Sequence, residues 1–240
     1  MPIKFRFSWT VLFATLVVVA IGVAAGQWQT RRGDRKEAIE ARMQQRSAEP
    51  VIELNGSADV QADAVEFRHV RATGEFVRDW PVYLDNRPYQ GRAGFYLLMP
   101  FKISGTGRAV LVARGWFPRD VHDRAKLPAI ATPAGTIEVE GEARRTMGRL
   151  FQLGSPPPLR AGAIVQNAEI ADVAAASRLQ LLPILIAQTN DAHDGLVRDW
   201  PRPSSGVAMH RGYAMQWYGL AATALAFFVI TGFRRGRQQQ

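Results

Sequence analysis

The side chains able to do chemistry are few. Cysteine is absent and only four histidines are present. That excludes disulfides, thiolate metal sites and a cysteine nucleophile. His69 falls in an alternating stretch, and His122 and His193 fall in loops of mixed charge. No His-x-His or His-x-x-x-His spacing exists, so these three read as ordinary surface or packing residues. His210 stands apart because it opens the second of two long apolar stretches, where a polar group is costly unless it is used. At 100° per residue, His210, Tyr213, Ala214 and Trp217 share one helical stripe, with Gln216 off its edge. Trp28 and Arg32, four apart, share a face where the first apolar stretch ends, on the same membrane side as His210. If the two stretches pair, imidazole, aromatic rings and guanidinium converge. That combination suits a porphyrin: His210 on iron, Tyr213, Trp217 and Trp28 as walls, Ala214 leaving room, and Arg32 for propionates. The same residues also fit a histidine snorkelling to the interface within an aromatic belt. Spacing alone leaves both readings open.

Enzyme chemistry has little support. There is no Gly-x-Ser-x-Gly, no His-Glu-x-x-His, no P-loop and no Gly-x-Gly-x-x-Gly after a strand. Gly105 and Gly107 are glycines of a turn, and Asp191, His193 and Asp194 read as a solvated acidic loop. Glu138, Glu140 and Glu142 share the outward face of a strand, where like charges imply exposure.

These side chains have to be positioned by two spans and what lies between them. Residues 7–30 hold no charge over 24 positions, and residues 212–233 none over 22. Each is long enough for the ~20 apolar residues that cross a hydrocarbon core of ~30 Å. These lengths argue against a purely soluble protein and, with nothing long and apolar between them, against a polytopic transporter, while a middle rich in Val, Ile, Leu and aromatics excludes a disordered chain. A cleaved secretory signal would also begin with Lys4 and Arg6 and end in small residues such as Val23-Ala24-Ala25. The first stretch is longer than a signal core, however, and runs into an aromatic and basic edge, so an uncleaved helix is expected.

Net charge is +9, but Lys4, Arg6, Arg234, Arg235 and Arg237 flank the spans, and every acidic residue lies between Asp34 and Asp199. Membrane flanks explain the excess, and aromatics do not alternate with basic residues as a base-stacking strip requires, so nucleic acid is not an expected partner. The arginines closing the chain favour a cytoplasmic C-terminus. Two spans then put both termini in the cytoplasm and the large middle outside it.

The expected fold class is a membrane α+β protein, with two transmembrane helices flanking a mainly antiparallel β domain that carries a short helix. The expected segments are a first helix over 7–30, a polar helical stalk over 31–50, a β-rich domain over 51–198, a linker over 199–211, a second helix over 212–233 and a tail over 234–240. Alternation predicts strands from Val65 to Thr73, Trp80 to Asp85 and Ile137 to Glu142, and another from Pro183 to Thr189. Phe95–Ile103 and Ala109–Trp116 flank Ser104-Gly-Thr-Gly107 as a hairpin. Pro156 to Pro158 breaks the chain, and Asn167 is placed to cap a helix over Ala168 to Leu179.

Several motifs then occur in one order: Gly26-Gln-Trp28-Gln29-Thr-Arg-Arg32-Gly-Asp-Arg-Lys36, Gly74-Glu-Phe76, Leu84-Asp85-Asn86-Arg87 and Gly94-Phe-Tyr. Val110-Leu-Val-Ala-Arg114-Gly115-Trp116-Phe117-Pro118 and His210-Arg-Gly-Tyr213-Ala214-Met-Gln216-Trp217-Tyr218 follow. Over roughly Ala25 to Leu220 the chain resembles the Surfeit-locus family (Surf-one type) of cytochrome c oxidase assembly factors. The resemblance implies two membrane helices around a β-rich domain, periplasmic in bacteria, in the inner membrane. It also implies a non-enzymatic role in maturing haem–copper oxidase, with haem a bound and passed to the catalytic oxidase subunit. His210 maps onto the family histidine, the axial iron ligand. Haem a synthase is a second candidate partner, and membrane lipid surrounds the spans. Ala113 stands where many relatives carry Asn, and Ala25 where many carry Leu. Arg114 and Trp116 read as a strand-end arginine with an ion-pair partner and a tryptophan sealing the core, against a partner-contact role.

Three rivals predict different features. A scaffold that never touches haem would tolerate loss of His210. A membrane-tethered hydrolase or haem-modifying enzyme needs a convergent acid–base or nucleophile set in the β domain. A ligand sensor needs a cytoplasmic signalling extension, whereas the tails outside Phe7 and Phe233 hold six and seven residues.

Overall fold

The computed structural model describes residues 5–56, 60–123, 126–152, 154, 157–201 and 206–237. Lys4, Pro156, positions 202–205 of the expected linker, the side chain of Arg237 and tail residues 238–240 lie outside the described residues. Along the chain run α1 (Trp9–Ser47), β1 (Ile52–Glu53), a 3-10 turn (Leu54–Gly56), α2 (Ala62–Val65), β2 (His69–Phe76) and β3 (Val82–Leu84). There follow β4 (Gly94–Ile103), β5 (Ala109–Pro118), β6 (Ile137–Arg144), β7 (Ile164–Val165), α3 (Ile170–Ser177), β8 (Leu181–Gln188) and α4 (Val207–Arg237). Two compact units result, Met1–Ala41 with Arg202–Gln240, and Arg42–Pro201.

The first unit is an antiparallel helix pair, and the chain is a membrane protein of α+β class. The expected first span and stalk form one unbroken helix of 39 residues. At 1.5 Å per residue α1 is about 58 Å long, far more than a hydrocarbon core of ~30 Å needs. Both helices contain windows apolar enough to cross a membrane, with mean hydropathy 2.2 in α1 and 1.4 in α4. The second helix starts at Val207, inside the stretch expected to be linker, so His210 is already helical and its N–H bonds Gly206 O at 3.1 Å.

A seam repeating at four and three residues joins the pair. On α1 it runs through Thr15, Val19, Gly22, Gly26, Gln29 and Gly33, and on α4 through Val207, His210, Ala214, Trp217 and Ala221. Small residues let the backbones approach closely where lipid offers no hydrophobic drive to pairing. A Cβ at Gly22 would stand 2.9 Å from the Trp217 carbonyl oxygen and 3.0 Å from the Ala221 Cβ. At the far end of the pair Phe5 packs edge-on against Phe228 and Phe233, at 5.7 and 5.2 Å.

In the second unit β2, β6, β8, β5 and β4 pair in sequence, and β2 pairs back onto β4, closing a five-stranded ring. Gly74 is the corner, opposite Ile137 of β6 and Ile103 of β4 at once. A Cβ there would collide with the Lys102 carbonyl oxygen, so only glycine lets the ring close. Five pairings are antiparallel, while β1–β2, β3–β7 and β5–β8 are parallel. The two-residue strands β1 and β7 carry too little pattern to be expected from sequence. β2 begins at His69 rather than Val65, because residues 62–65 form a helical turn and Phe67 adopts φ 67°. Arg46 bonds the carbonyl oxygens of Asp63, Ala64 and Glu66 at 2.7, 3.1 and 3.3 Å, meeting the carbonyls at the end of α2.

β2 and β6 alternate, one face in the core and the other in water. On the wet face Arg71 bridges Glu53 (2.9 Å), Glu138 (3.6 Å) and Glu140 (2.5 Å), so those carboxylates are exposed but shared rather than simply solvated. The Glu140 hydrogen bond, foremost, raises the pKa of Arg71 further. β4 and β5 are buried on both faces. Phe95, Leu97, Phe101, Val110, Val112, Val139, Ile184 and Ile186 fill one cluster. Leu98, Leu111, Ala113, Trp116, Leu185 and Trp200 form a second cluster that includes Val173 of α3. Asn167 does not cap α3. Glu169 holds that position without a side-chain bond, and Asn167 instead pairs with both backbone groups of Leu150, at 2.7 and 2.9 Å.

Candidate functional site

The helix pair brings His210 to one residue singled out by neither periodicity nor aromatic content. His210 Nδ1 lies 2.7 Å from the side-chain oxygen of Gln29, both half-buried on the seam. Gly33 faces His210 across the seam, where a Cβ would lie in ordinary contact, 3.7 Å from His210 Cβ. Trp28 and Arg32 do not share that contact. Trp28 is 57% exposed and the Arg32 guanidinium stacks over its ring at 5.8 Å. Tyr213 is likewise turned outward, 47% exposed, while Ala214 is buried and Trp217 half-buried.

Stepping 100° per residue around each helix of an antiparallel pair assigns the flanks. Trp28 and Arg32 lie on one flank of α1, and Tyr213 and Trp217 on the same flank of α4, with His210 at the edge between. The opposite flank carries Tyr218, whose ring lies against Gly26, and the Arg211–Glu37 ion pair at 2.6 Å. The five residues expected to form a site therefore border one flank of the pair. Along the seam the two backbones approach closely, a Cβ at Gly22 standing 2.9 Å from the Trp217 carbonyl oxygen. Gln29 was legible in principle. The spacing of Gly22, Gly26 and Gly33 defines the seam, and Gln29 sits on it.

The remaining histidines stay apart. His69 is half-buried on β2, His122 is exposed, and His193 is 91% exposed beside Asp191 at 3.0 Å. Among the described residues no group of three or more histidines and carboxylates is arranged to hold a metal ion.

The β unit uses its motif residues for architecture. Leu97 pairs with Gly115 and Leu98 with Ala113, so Arg114 is the extra residue of a β-bulge. The bulge changes the parity of β5. Trp116 goes into the second cluster, donating its indole N–H to Arg87 O at 2.7 Å, and Arg114 turns toward the first. Arg114 is fully buried. It bonds Thr132 Oγ1 (2.7 Å), Ala131 O (2.7 Å) and Asp194 (2.8 Å), with its guanidinium 4.9 Å over Phe76. Burial pushes its pKa down and the Asp194 bond opposes that. Asp194 is thus no solvated turn residue. It is 1% exposed and also takes two bonds from Arg198, each at 2.8 Å. Asp191, three residues earlier, is 68% exposed as expected. Arg87, another motif residue, is buried against the carbonyl oxygens of Met147, Gly148 and Gln166 and the face of Tyr96. Its pKa is lowered by burial, with Tyr96 opposing.

A family model described as the SURF1 family matches residues 16–222, taking in most of α1, the first half of α4 and the whole β unit. The chain belongs to the SURF1 family. It is 36% identical over 104 residues to a SURF1-like protein of Rickettsia felis, covering 42% of this chain and 44% of that one. To a SURF1-like protein of Monosiga brevicollis it is 25% identical over 250 residues, covering 94% and 89%. An uncharacterized SURF1-like protein of Mycobacterium bovis is 28% identical over 196 residues, covering 80% and 70%. The chain therefore spans less than half the length of the Rickettsia relatives it matches. Within this SURF1-family chain, Trp28, Gln29, Arg32, His210, Tyr213 and Trp217 all lie inside the span of the family model.

Proposed function

We propose that this SURF1-family protein assists assembly of haem–copper oxidase without being an enzyme, holding haem a on one flank of its helix pair for delivery to the catalytic oxidase subunit. The observation that carries the reading is the gathering of His210, Tyr213, Trp217, Trp28 and Arg32 on that flank. The set fits the group. An imidazole can ligate iron, exposed indole and phenol faces cover a flat apolar ring, and an exposed guanidinium pairs with propionates. A porphyrin does not fit between the helices, where a Cβ at Gly22 would already press on α4.

Haem a, when bound, supplies an electrophilic iron and redox activity, and this chain has only to hold and shield it. His210 provides one nitrogen ligand at the membrane boundary. Trp28, Tyr213 and Trp217 exclude water, and Arg32 neutralises carboxylates at the aqueous edge. A single imidazole lets go more easily than two, which suits a carrier. The setting is a bacterial inner membrane, both termini cytoplasmic and the β unit periplasmic, with haem a synthase as the second partner.

The His210–Gln29 hydrogen bond favours one other reading, a scaffold in which His210 only joins two helices. An optical spectrum of the detergent-purified protein from a haem a-producing host, wild type beside His210→Ala, separates the two. Haem a in the wild type, with loss or a shifted spectrum in the variant, supports the carrier. A colourless wild type, with haem synthesis confirmed in the host, refutes it.

A further inference from the structure

We propose that Gln29 is a positioning residue for His210, fixing the imidazole tautomer that leaves Nε2 free as the iron ligand. The inference rests on the haem-binding reading above and deepens it. His210 Nδ1 and the Gln29 carboxamide oxygen stand 2.7 Å apart, and with that oxygen as the acceptor the contact assigns the proton to Nδ1. A neutral imidazole protonated on Nδ1 carries its lone pair on Nε2, the nitrogen farther from the backbone. Outer partners of this kind hold a ligating ring in place and raise its basicity.

The surroundings make Gln29 suited to the task. It sits on the seam between Gly26 and Gly33, and a Cβ at Gly33 would already touch that of His210. The imidazole and the amide therefore meet side by side on the seam, both half-buried and 2.7 Å apart. Trp28 and Arg32, one step around the helix, lie on the flank where the group is held. One turn of α1 thus divides the work: Gln29 addresses the ligand from the seam, while its neighbours address the porphyrin from outside. A helix-joining role alone would use the same Nδ1–H bond, so what separates the two roles is whether changing Gln29 changes haem affinity and reduction potential.

The test uses the full chain in detergent with 15N-labelled histidine, the His210 signals being identified by their loss in His210→Ala. In the haem-free wild type, His210 shows a proton on Nδ1 and a bare Nε2. In Gln29→Leu the signals move toward the Nε2–H form, and haem a binds about 10–100-fold more weakly. Gln29→Glu, a stronger acceptor, retains the Nδ1–H form, restores binding and lowers the reduction potential of the bound haem. A helix-joining role would not move that potential. The proposal is overturned if wild-type His210 is protonated on Nε2. It is also overturned if Gln29→Leu leaves affinity and spectrum unchanged while His210→Ala abolishes binding. A wild type that takes up no haem sinks the carrier reading instead, and the tautomer measurement still judges the part played by Gln29.

Discussion

Asp194 is the most sharply testable residue of the β unit. Its carboxylate, 1% exposed, lies between two guanidiniums that are themselves buried, Arg114 at 0% and Arg198 at 8%. Replacing Asp194 by Ala leaves both cations in place with their shared counter-charge gone. Arg114 keeps Thr132 Oγ1 and Ala131 O as acceptors, but neither carries charge. Breaking a buried ion pair from one side costs about 3–5 kcal/mol, because the remaining charge stays desolvated. For a domain of this size each kcal/mol moves the melting temperature by about 2–4 °C, so a drop on the order of 10 °C is expected. The assay is thermal and urea unfolding of the full-length protein in mild detergent. Tryptophan fluorescence reports on the β unit through the buried Trp116 and Trp200. Asp191→Ala, at a 68% exposed carboxylate, is the control and should change stability by less than about 0.5 kcal/mol. Arg114→Met combined with Asp194→Ala should be less destabilised than the two single losses added together, because it removes one stranded charge. If Asp194→Ala unfolds with the wild type, within about 0.5 kcal/mol, the buried ion cluster does not hold this loop and the reasoning fails.

Two further outcomes follow from named contacts. Gly33→Cys with His210→Cys should oxidise to an intramolecular disulfide, since the two Cβ positions lie 3.7 Å apart and disulfides need about 3.5–4.5 Å. The native chain holds no cysteine to compete, and two free thiols persisting under mild oxidation would disprove the helix register. Asp191 holds its carboxyl below the ordinary aspartate range, chiefly because the His193 N–H bonds it at 2.8 Å, with His193 and Arg198 adding to the effect. A depressed folded pKa stabilises above the unfolded value of about 3.9 and is lost as pH falls through the folded value. Carboxyl 13C titration should therefore find Asp191 more than half ionised at the pH where a free aspartate is half protonated, and a midpoint at or above that pH would contradict the bond.

The sequence by itself determined the local elements. Charge-free runs of 24 and 22 residues are long enough to span a membrane whatever lies between them. The alternation in β2 and β6 and the Ser104–Gly107 turn announced strands because side-chain period and glycine conformation are properties of a few consecutive residues. The histidine at the mouth of the second span and its aromatic neighbours were visible for the same reason. What only the tertiary structure decided is what each residue faces. Whether Gln29 or Trp28 meets His210 depends on how α1 is rotated about its axis, and that rotation is set by which small residues let α4 approach. Arg114 and Trp116 exchange faces through one bulge residue, a register event between strands that leaves no local trace. Asp194 looked like a solvated turn residue because Asp191 and His193 beside it are exposed, and the burial of its partner Arg198, four residues on, is set by the fold. Arg114, eighty residues away along the chain, completes the environment of Asp194 together with Arg198. Burial is a sum over neighbours in space, and for Gln29, Arg114 and Asp194 a deciding neighbour comes from a distant part of the chain.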